Sequence, residues 1–314
     1  MSTNDNGRFA EALQTALDGA VFNSTLRKNV GEGALDYEVY LKTGELLSLQ
    51  TKLTALSAPD ELLFQIVHQT QELWMKQLGF DAVVLVRAMD EGNLMGALAM
   101  LHRMFVTVRS LADQVRILQT MPPDVFQVVR RQLGNGSGLE SPGYNRFHVA
   151  ADAIRAAFSR WCERRSTKLV DIYLESEKNA ETHRLAEALV DLDESFQVWM
   201  VVHYMLVRRT IGVAKSVKAL DGFPTVLLAS RMTRPLFPEL WDVRVEMTEA
   251  WKREGGYSPG AEREGEGAAP PLHACAHAAA LGSQGPYGGS HSGLRPAVRE
   301  GEGEGPASTR SGTR

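Results

Sequence analysis

Two histidines lie where an imidazole is costly to keep. His68 sits inside DELLFQIVHQTQELWMKQL (60–78), four residues after Phe64, a spacing that puts both rings on one side of a helix. His203 sits in FQVWMVVHYMLV (196–207), flanked on its own face by Trp199 and Val207 with no acidic residue within a turn. Each ring could be an ordinary core histidine satisfied by backbone or a neighbour. His68 could instead line a pocket for an aromatic substrate, and the apolar setting of His203 is also what an axial imidazole facing a porphyrin requires. A third candidate is Arg130, four residues after Phe126 and just ahead of the glycine-punctuated GNGSGLES (134–141). Its guanidinium is a planar fork matched to a carboxylate, and the glycines let backbone approach a small ligand. An exposed arginine before an ordinary turn is the plainer reading.

The elements that must position these groups read as helices. In 60–78, Leu63, Ile66, Val67, Thr70, Leu73, Trp74 and Gln77 predict a buried face. Pro59 breaks the preceding stretch, Asp60 is the expected N-cap, and the repeat continues through Phe80–Met89 to a turn at 90–93. The clearest periodicity runs from Leu94 to Leu118, with Leu98, Leu101, Met104, Phe105, Val108, Leu111, Ala112, Val115 and Leu118 in one stripe. A short helix is expected over Val125–Leu133, and a long one over Thr182–Arg209 that carries His203. Between them, Arg160, Arg164, Arg165 and Lys168 read as a solvated face. Upstream, Tyr37, Tyr40, Leu41, Leu46 and Leu47 could share a helical side, the tyrosines half-buried. Periodicity lapses over 213–234, and a final helical piece is expected from Pro235 to about Trp251. No strand of any length competes, so the expected fold class is all-α.

Bulk properties exclude several classes. The chain has 314 residues, 44% of them hydrophobic, enough for a sizeable core. A net charge of −4 and a pI near 6.1 provide no basic stripe for nucleic acid or an anionic membrane. Only Cys162 and Cys275 occur, in segments of unlike character, which argues against a disulfide framework and fits a reducing, cytoplasmic setting. The start lacks the pattern of a secretory signal, and the apolar run Phe196–Val207 is too short to span a bilayer. From residue 253 the chain is Gly, Pro, Glu, Ser, Ala and His with EGEG repeats, which cannot bury enough surface to fold. Within it, His273, Cys275 and His277 have metal-like spacing but no fourth ligand. The expected organisation is an N-terminal arm (1–33), a helical domain (34–252) and a low-complexity tail (253–314).

Taken together, YEVYL, FQIVHQTQELWMKQ, VFQVVRRQLGNGSGLES, WMVVHYMLVRRTIG and FPELWDVR, in that order between Tyr37 and Arg244, resemble the tryptophan 2,3-dioxygenase family of heme enzymes. The resemblance implies an all-α, homotetrameric protein built as a dimer of dimers. It also implies ferrous heme b, and dioxygen added across the indole C2–C3 bond of tryptophan to give N-formylkynurenine. By position, His203 matches the histidine that ligates heme iron, with Trp199 beside it on the cofactor side, and His68 matches the distal histidine facing the indole N–H. Phe64 and Phe126 match walls around the indole, Arg130 the carboxylate fork, and Ser137 the serine near the distal histidine. Tyr37, Tyr40 and Leu41 match residues that reach into a neighbouring subunit's pocket.

One stretch departs from the family pattern. After Ile211-Gly212 the family carries a Gly-Thr-Gly-Gly-Ser-Ser-Gly loop that closes over the substrate, its threonine contacting ammonium and carboxylate. Here Ser216–Gly222 (SVKALDG) stands in its place, with Val217 for the threonine and most glycines gone. Glu140 likewise replaces a glutamine. The leading expectation is ring-opening dioxygenation of L-tryptophan or a substituted tryptophan. A specialised monooxygenase that leaves the ring closed, a non-catalytic heme protein, and a heme-free helical interaction protein are the alternatives.

Overall fold

The computed structural model describes residues 5–18 and 33–250, and among them every regular element is helical. The expected tail from 253, with His273, Cys275 and His277, lies outside the described residues, as do parts of the expected arm.

Four long helices carry the core. Helix α1 (Asp5–Asp18) is followed by the short α2 (Asp36–Leu41) and α3 (Thr43–Leu46). Helix α4 (Asp60–Asp90) packs against both α5 (Leu94–Leu118) and α7 (Pro142–Arg164), and α5 packs in turn against α9 (Ala180–Thr210). The remaining helices, α6 (Pro123–Arg130), α8 (Leu169–Leu174), α10 (Leu228–Met232) and α11 (Pro238–Ala250), lean on this frame, chiefly on α9. At about 1.5 Å rise per residue, α4 and α9 are each roughly 46 Å long. Core groups and cavity-lining groups therefore occupy different turns of the same rods.

The α5 stripe behaves as its spacing predicts: Leu101, Met104, Val108, Leu111, Ala112, Val115 and Leu118 are buried. The helix has the length and hydropathy of a membrane span, which the sequence reading did not pick out, yet these residues pack in the core against α4 and α9. Asn93 caps α5 by accepting Gly96 N–H at 2.9 Å, and Gly92 turns the chain with a φ of 73°, the left-handed region glycine enters without steric cost.

Other expectations need correction. On α4 the buried stripe is Val67, Met75, Leu78, Ala82, Leu85, Ala88 and Met89, whereas Ile66, Leu73 and Trp74 are 42–51% exposed. The helix is apolar most of the way round, so spacing alone left its phase ambiguous, and the flanking α5 and α7 chose the side. Asp60 makes no capping bond. Glu61 instead ties down the chain that leads into the helix, its Oε2 accepting Ser57 N–H and Oγ–H at 2.6 Å each. Tyr37 and Tyr40 are not half-buried but 68% and 86% exposed, with Leu41 and Leu47 also exposed and Lys42 (φ 54°) breaking the helix between them. The basic cluster on α7 is only partly solvated. Arg160 forks onto Asp90 at 2.9 and 2.7 Å, Arg164 donates to Met89 O at 2.6 Å, and Arg165 lies 3.6 Å from the Trp161 ring centroid. Arg160 and Arg164 thus gather at the carbonyl end of α4, where cations are favoured, while Arg165 also pairs with Glu181 at 3.5 Å.

Two buried carboxylates pin elements together. Asp81, fully buried on α4, takes Arg103 from α5 in a two-point ion pair and Gln77 at 2.9 Å. Asp193, fully buried on α9, accepts Leu236 N–H at 3.0 Å, Phe237 N–H at 2.8 Å, Trp241 Nε1–H at 2.9 Å and Gln197 Nε2–H at 3.1 Å, docking the start of α11.

Candidate functional site

A cavity of about 280 Å³ opens between α4, α6, α9, the 134–141 loop and the 211–231 segment. That is near the lower end of small-molecule sites, roughly 300–1,000 Å³. Helix α4 contributes Phe64, His68 and Glu72, whose four-residue spacing keeps them on one face. Helix α9 contributes Trp199, His203, Leu206 and Val207, and α6 contributes Phe126 and Arg130. Ser137 comes from the loop. Thus seven of the sequence-identified residues meet in one place. Tyr37, Tyr40 and Leu41 are absent from this wall and are exposed.

The α4 face is organised for an aromatic guest. The Phe64 and His68 rings lie 4.0 Å apart, and Phe126 lies 6.3 Å from Phe64. The His68 Nδ1 is 2.7 Å from Phe64 O. A carbonyl can only accept, so Nδ1 carries the proton and Nε2 of the neutral ring keeps its lone pair toward the cavity. Burial holds the His68 pKa below its usual value, opposed by the Phe64 carbonyl and the nearby Glu72. Glu72 is itself committed: it accepts Ser141 Oγ–H, and Gly143 N–H at 2.8 Å. A Cβ at position 143 would fall 2.6 Å from both Glu72 Oε2 and Met75 Cβ, so the approach of α7 to α4 requires glycine there.

The α9 face is different. His203 makes no hydrogen bond with any described residue, and burial pushes its pKa down to about 4, with His68 as a second, repulsive cause. It is a neutral imidazole with an uncommitted lone pair. One turn earlier, Trp199 stacks near it at 6.3 Å, and its buried Nε1 has no partner among the described residues. Buried donors are normally satisfied, so this wall reads as one half of a contact. Among the described residues no cluster of three or more His, Cys, Asp or Glu could hold a bare metal ion. A single imidazole against an apolar slot suits a metal that brings its other ligands with it.

The 213–224 segment forms part of the cavity wall despite its missing glycines. Lys218 bridges Pro224, Ala219 N–H donates to Phe223 O at 2.9 Å, and Gly222 takes a φ of 84°. Arg130 Nη2 donates to Lys218 O at 2.9 Å, and Ser137 Oγ donates to Asp221. Ser137 also forms a capping box with Glu140, its N–H reaching Glu140 Oε2 at 3.1 Å. Ala219, Leu220, Asp221 and Phe223 enter the wall, while Val217 does not. The segment that stands in place of the glycine-rich loop thus still contributes to the cavity wall.

Sequence reasoning missed Glu72, Tyr144, Asp221 and Arg231, all of which line the cavity. Glu72 was within reach, one turn after His68. Asp221 and Arg231 lie in a stretch with no periodicity and reach the site only through the fold.

Comparison with known proteins identifies relatives of this chain. Residues 23–152 match the family model for tryptophan 2,3-dioxygenase. A tryptophan 2,3-dioxygenase of Herpetosiphon aurantiacus is 30% identical over 266 residues, which cover 68% of this chain and 99% of that protein. One of Myxococcus xanthus is 29% identical over 266 residues (69% and 91%), and one of Xanthomonas euvesicatoria is 26% identical over 277 residues (69% and 89%). With similarity spanning nearly the whole length of such relatives and an all-helical architecture, the chain belongs to the tryptophan 2,3-dioxygenase family.

Proposed function

We propose that this chain is a heme-dependent dioxygenase that opens the indole ring of L-tryptophan or a substituted tryptophan, forming N-formylkynurenine or its substituted equivalent. The observation that carries the reading is one cavity lined on one side by the uncommitted His203 and on another by His68, Phe64, Phe126 and Arg130. The residues fit a heme: His203 offers a neutral donor, Trp199 Nε1 is left without a partner, and the surrounding wall is apolar. Bound through His203, ferrous heme b would supply the iron that activates dioxygen.

The chain's own residues do the rest. Arg130 forks onto the substrate carboxylate, Phe64 and Phe126 flank the indole, and His68 Nε2 accepts the indole N–H. Ser137 supports the mouth beside them through Asp221. The apolar lining excludes water, which would divert a reactive intermediate.

The exposed Tyr37, Tyr40 and Leu41, together with Ile66, Leu73 and Trp74 on α4, support assembly into a homotetramer in which one subunit covers another's site. The domain is assigned to 34–252, with an arm at 1–33, a tail at 253–314 and a cytoplasmic setting. No nucleic acid or membrane partner is assigned.

Anaerobic ferrous protein mixed with tryptophan and then with labelled dioxygen tests this directly. Two labelled atoms in the product are expected; one would mean monooxygenation, and none with any tryptophan would leave a non-catalytic heme protein. A Soret band that survives His203→Ala would refute the assignment of the iron ligand.

A further inference from the structure

We infer that Asp221 is the acceptor for the substrate's ammonium group and so the residue that makes this site select an intact amino-acid zwitterion. The inference rests on the tryptophan reading above. Arg130 answers only one end of a zwitterion, and an ammonium left in the mouth of an apolar cavity without an acceptor is costly to desolvate. The two charges of an α-amino acid sit on one carbon, so the acceptor must come from the neighbourhood of Arg130.

The turn at 218–224 places a carboxylate there. Its stem is tied to Arg130 itself, through Nη2 to Lys218 O at 2.9 Å. Asp221, three residues on, is held by the Ser137 hydroxyl, and its Oδ1 accepts Phe223 N–H at 3.0 Å. Arg130, Ser137 and Asp221 all line the cavity. A carboxylate has about four lone-pair sites, so two bonds leave capacity for an ammonium N–H. Arg130 and Asp221 form no ion pair with each other among the described residues, so both charges remain available to a ligand.

Among the chain's own groups at the cavity, the other acceptors are less well placed. Glu72 also accepts two bonds, from Ser141 Oγ–H and Gly143 N–H, but it stands on α4 one turn beyond His68, whereas Asp221 belongs to the turn that is tied to Arg130. The Thr225 hydroxyl is buried against Ala214, and Val217 turns its carbonyl to Thr225 N–H at 2.9 Å while its side chain stays out of the wall. The polar function of the missing threonine has thus moved four residues along the segment and gained a formal charge.

Calorimetric titration of the anaerobic holoprotein with L-tryptophan and with indole-3-propionate, which lacks the ammonium, tests the inference without turnover. The parent should prefer L-tryptophan by roughly tenfold or more, as expected for a hydrogen bond between charged groups. Asp221→Asn keeps its oxygen for Phe223 N–H and turns its NH₂ toward Ser137, whose hydroxyl can rotate to accept, and it should lose that preference while binding indole-3-propionate within about threefold of the parent. Unchanged L-tryptophan affinity in Asp221→Asn, or an equal fall for both ligands, would overturn the assignment. So would equal affinities in the parent, a measurement independent of whether the variant folds. A parent that binds neither ligand would instead sink the tryptophan reading, and this inference with it.

Discussion

Replacing Asp193 with alanine should undock α11 from α9, and the cost can be worked from the bonds. The carboxylate is fully buried and serves four donors: the Leu236 and Phe237 amides, the Trp241 indole and the Gln197 amide. Gln197 can turn toward solvent, but the two backbone amides are buried and the indole is partly buried. An unmet buried donor costs about 1–3 kcal/mol, so three of them give about 3–6 kcal/mol once some water enters. That is a large share of a domain stability of about 5–15 kcal/mol. Asp193→Asn keeps one carbonyl acceptor but turns an NH₂ toward a donor, and should lose about half as much. Equilibrium urea denaturation followed by circular dichroism reads both values, with loss of the Leu236, Phe237 and Leu240 packing as the structural counterpart. An alanine variant within about 1 kcal/mol of the parent would show that the carboxylate is not what clamps α11.

Three further outcomes are expected. Arg130→Leu should weaken tryptophan binding at least roughly 30-fold, the effect of truncating one partner of a desolvated charge pair, and an unchanged titration would place the carboxylate elsewhere. His68 has its pKa held below 6.5 by burial, so at neutral pH Nε2 is unprotonated; as pH falls through the depressed value the acceptor becomes a donor, and kcat/KM should fall on that acid side only. The limb should vanish in His68→Asn, and a limb that persists there belongs to another group. Gly143→Ala forces a Cβ to 2.6 Å from Met75 Cβ and Glu72 Oε2, and should cost about 1–3 kcal/mol in denaturation as α7 is pushed from α4; a neutral result would mean that the interface yields.

Local patterns were enough where the code is local. The Phe64–His68 and Phe126–Arg130 pairs follow from one helical turn, and the α5 stripe from a clean three-and-four alternation. Where apolar residues surround the helix, as on α4, the same rule could not choose a side, and Trp74 came out exposed. Tyr37 and Tyr40 failed for a related reason: propensity describes a helix but not whether anything packs on it.

By itself the sequence determined that the chain is helical, which rods would be long, and which imidazoles and guanidinium lie on apolar faces, because helix periodicity and side-chain chemistry act over a few residues. Tertiary structure alone decided that His203 faces the same space as His68, that Arg130 reaches Lys218 across 88 residues, and that Ser137 meets Asp221 across 84. Those meetings depend on how α4, α6 and α9 pack and on a turn with no periodic signal, and packing is a property of all the helices at once rather than of any one stretch.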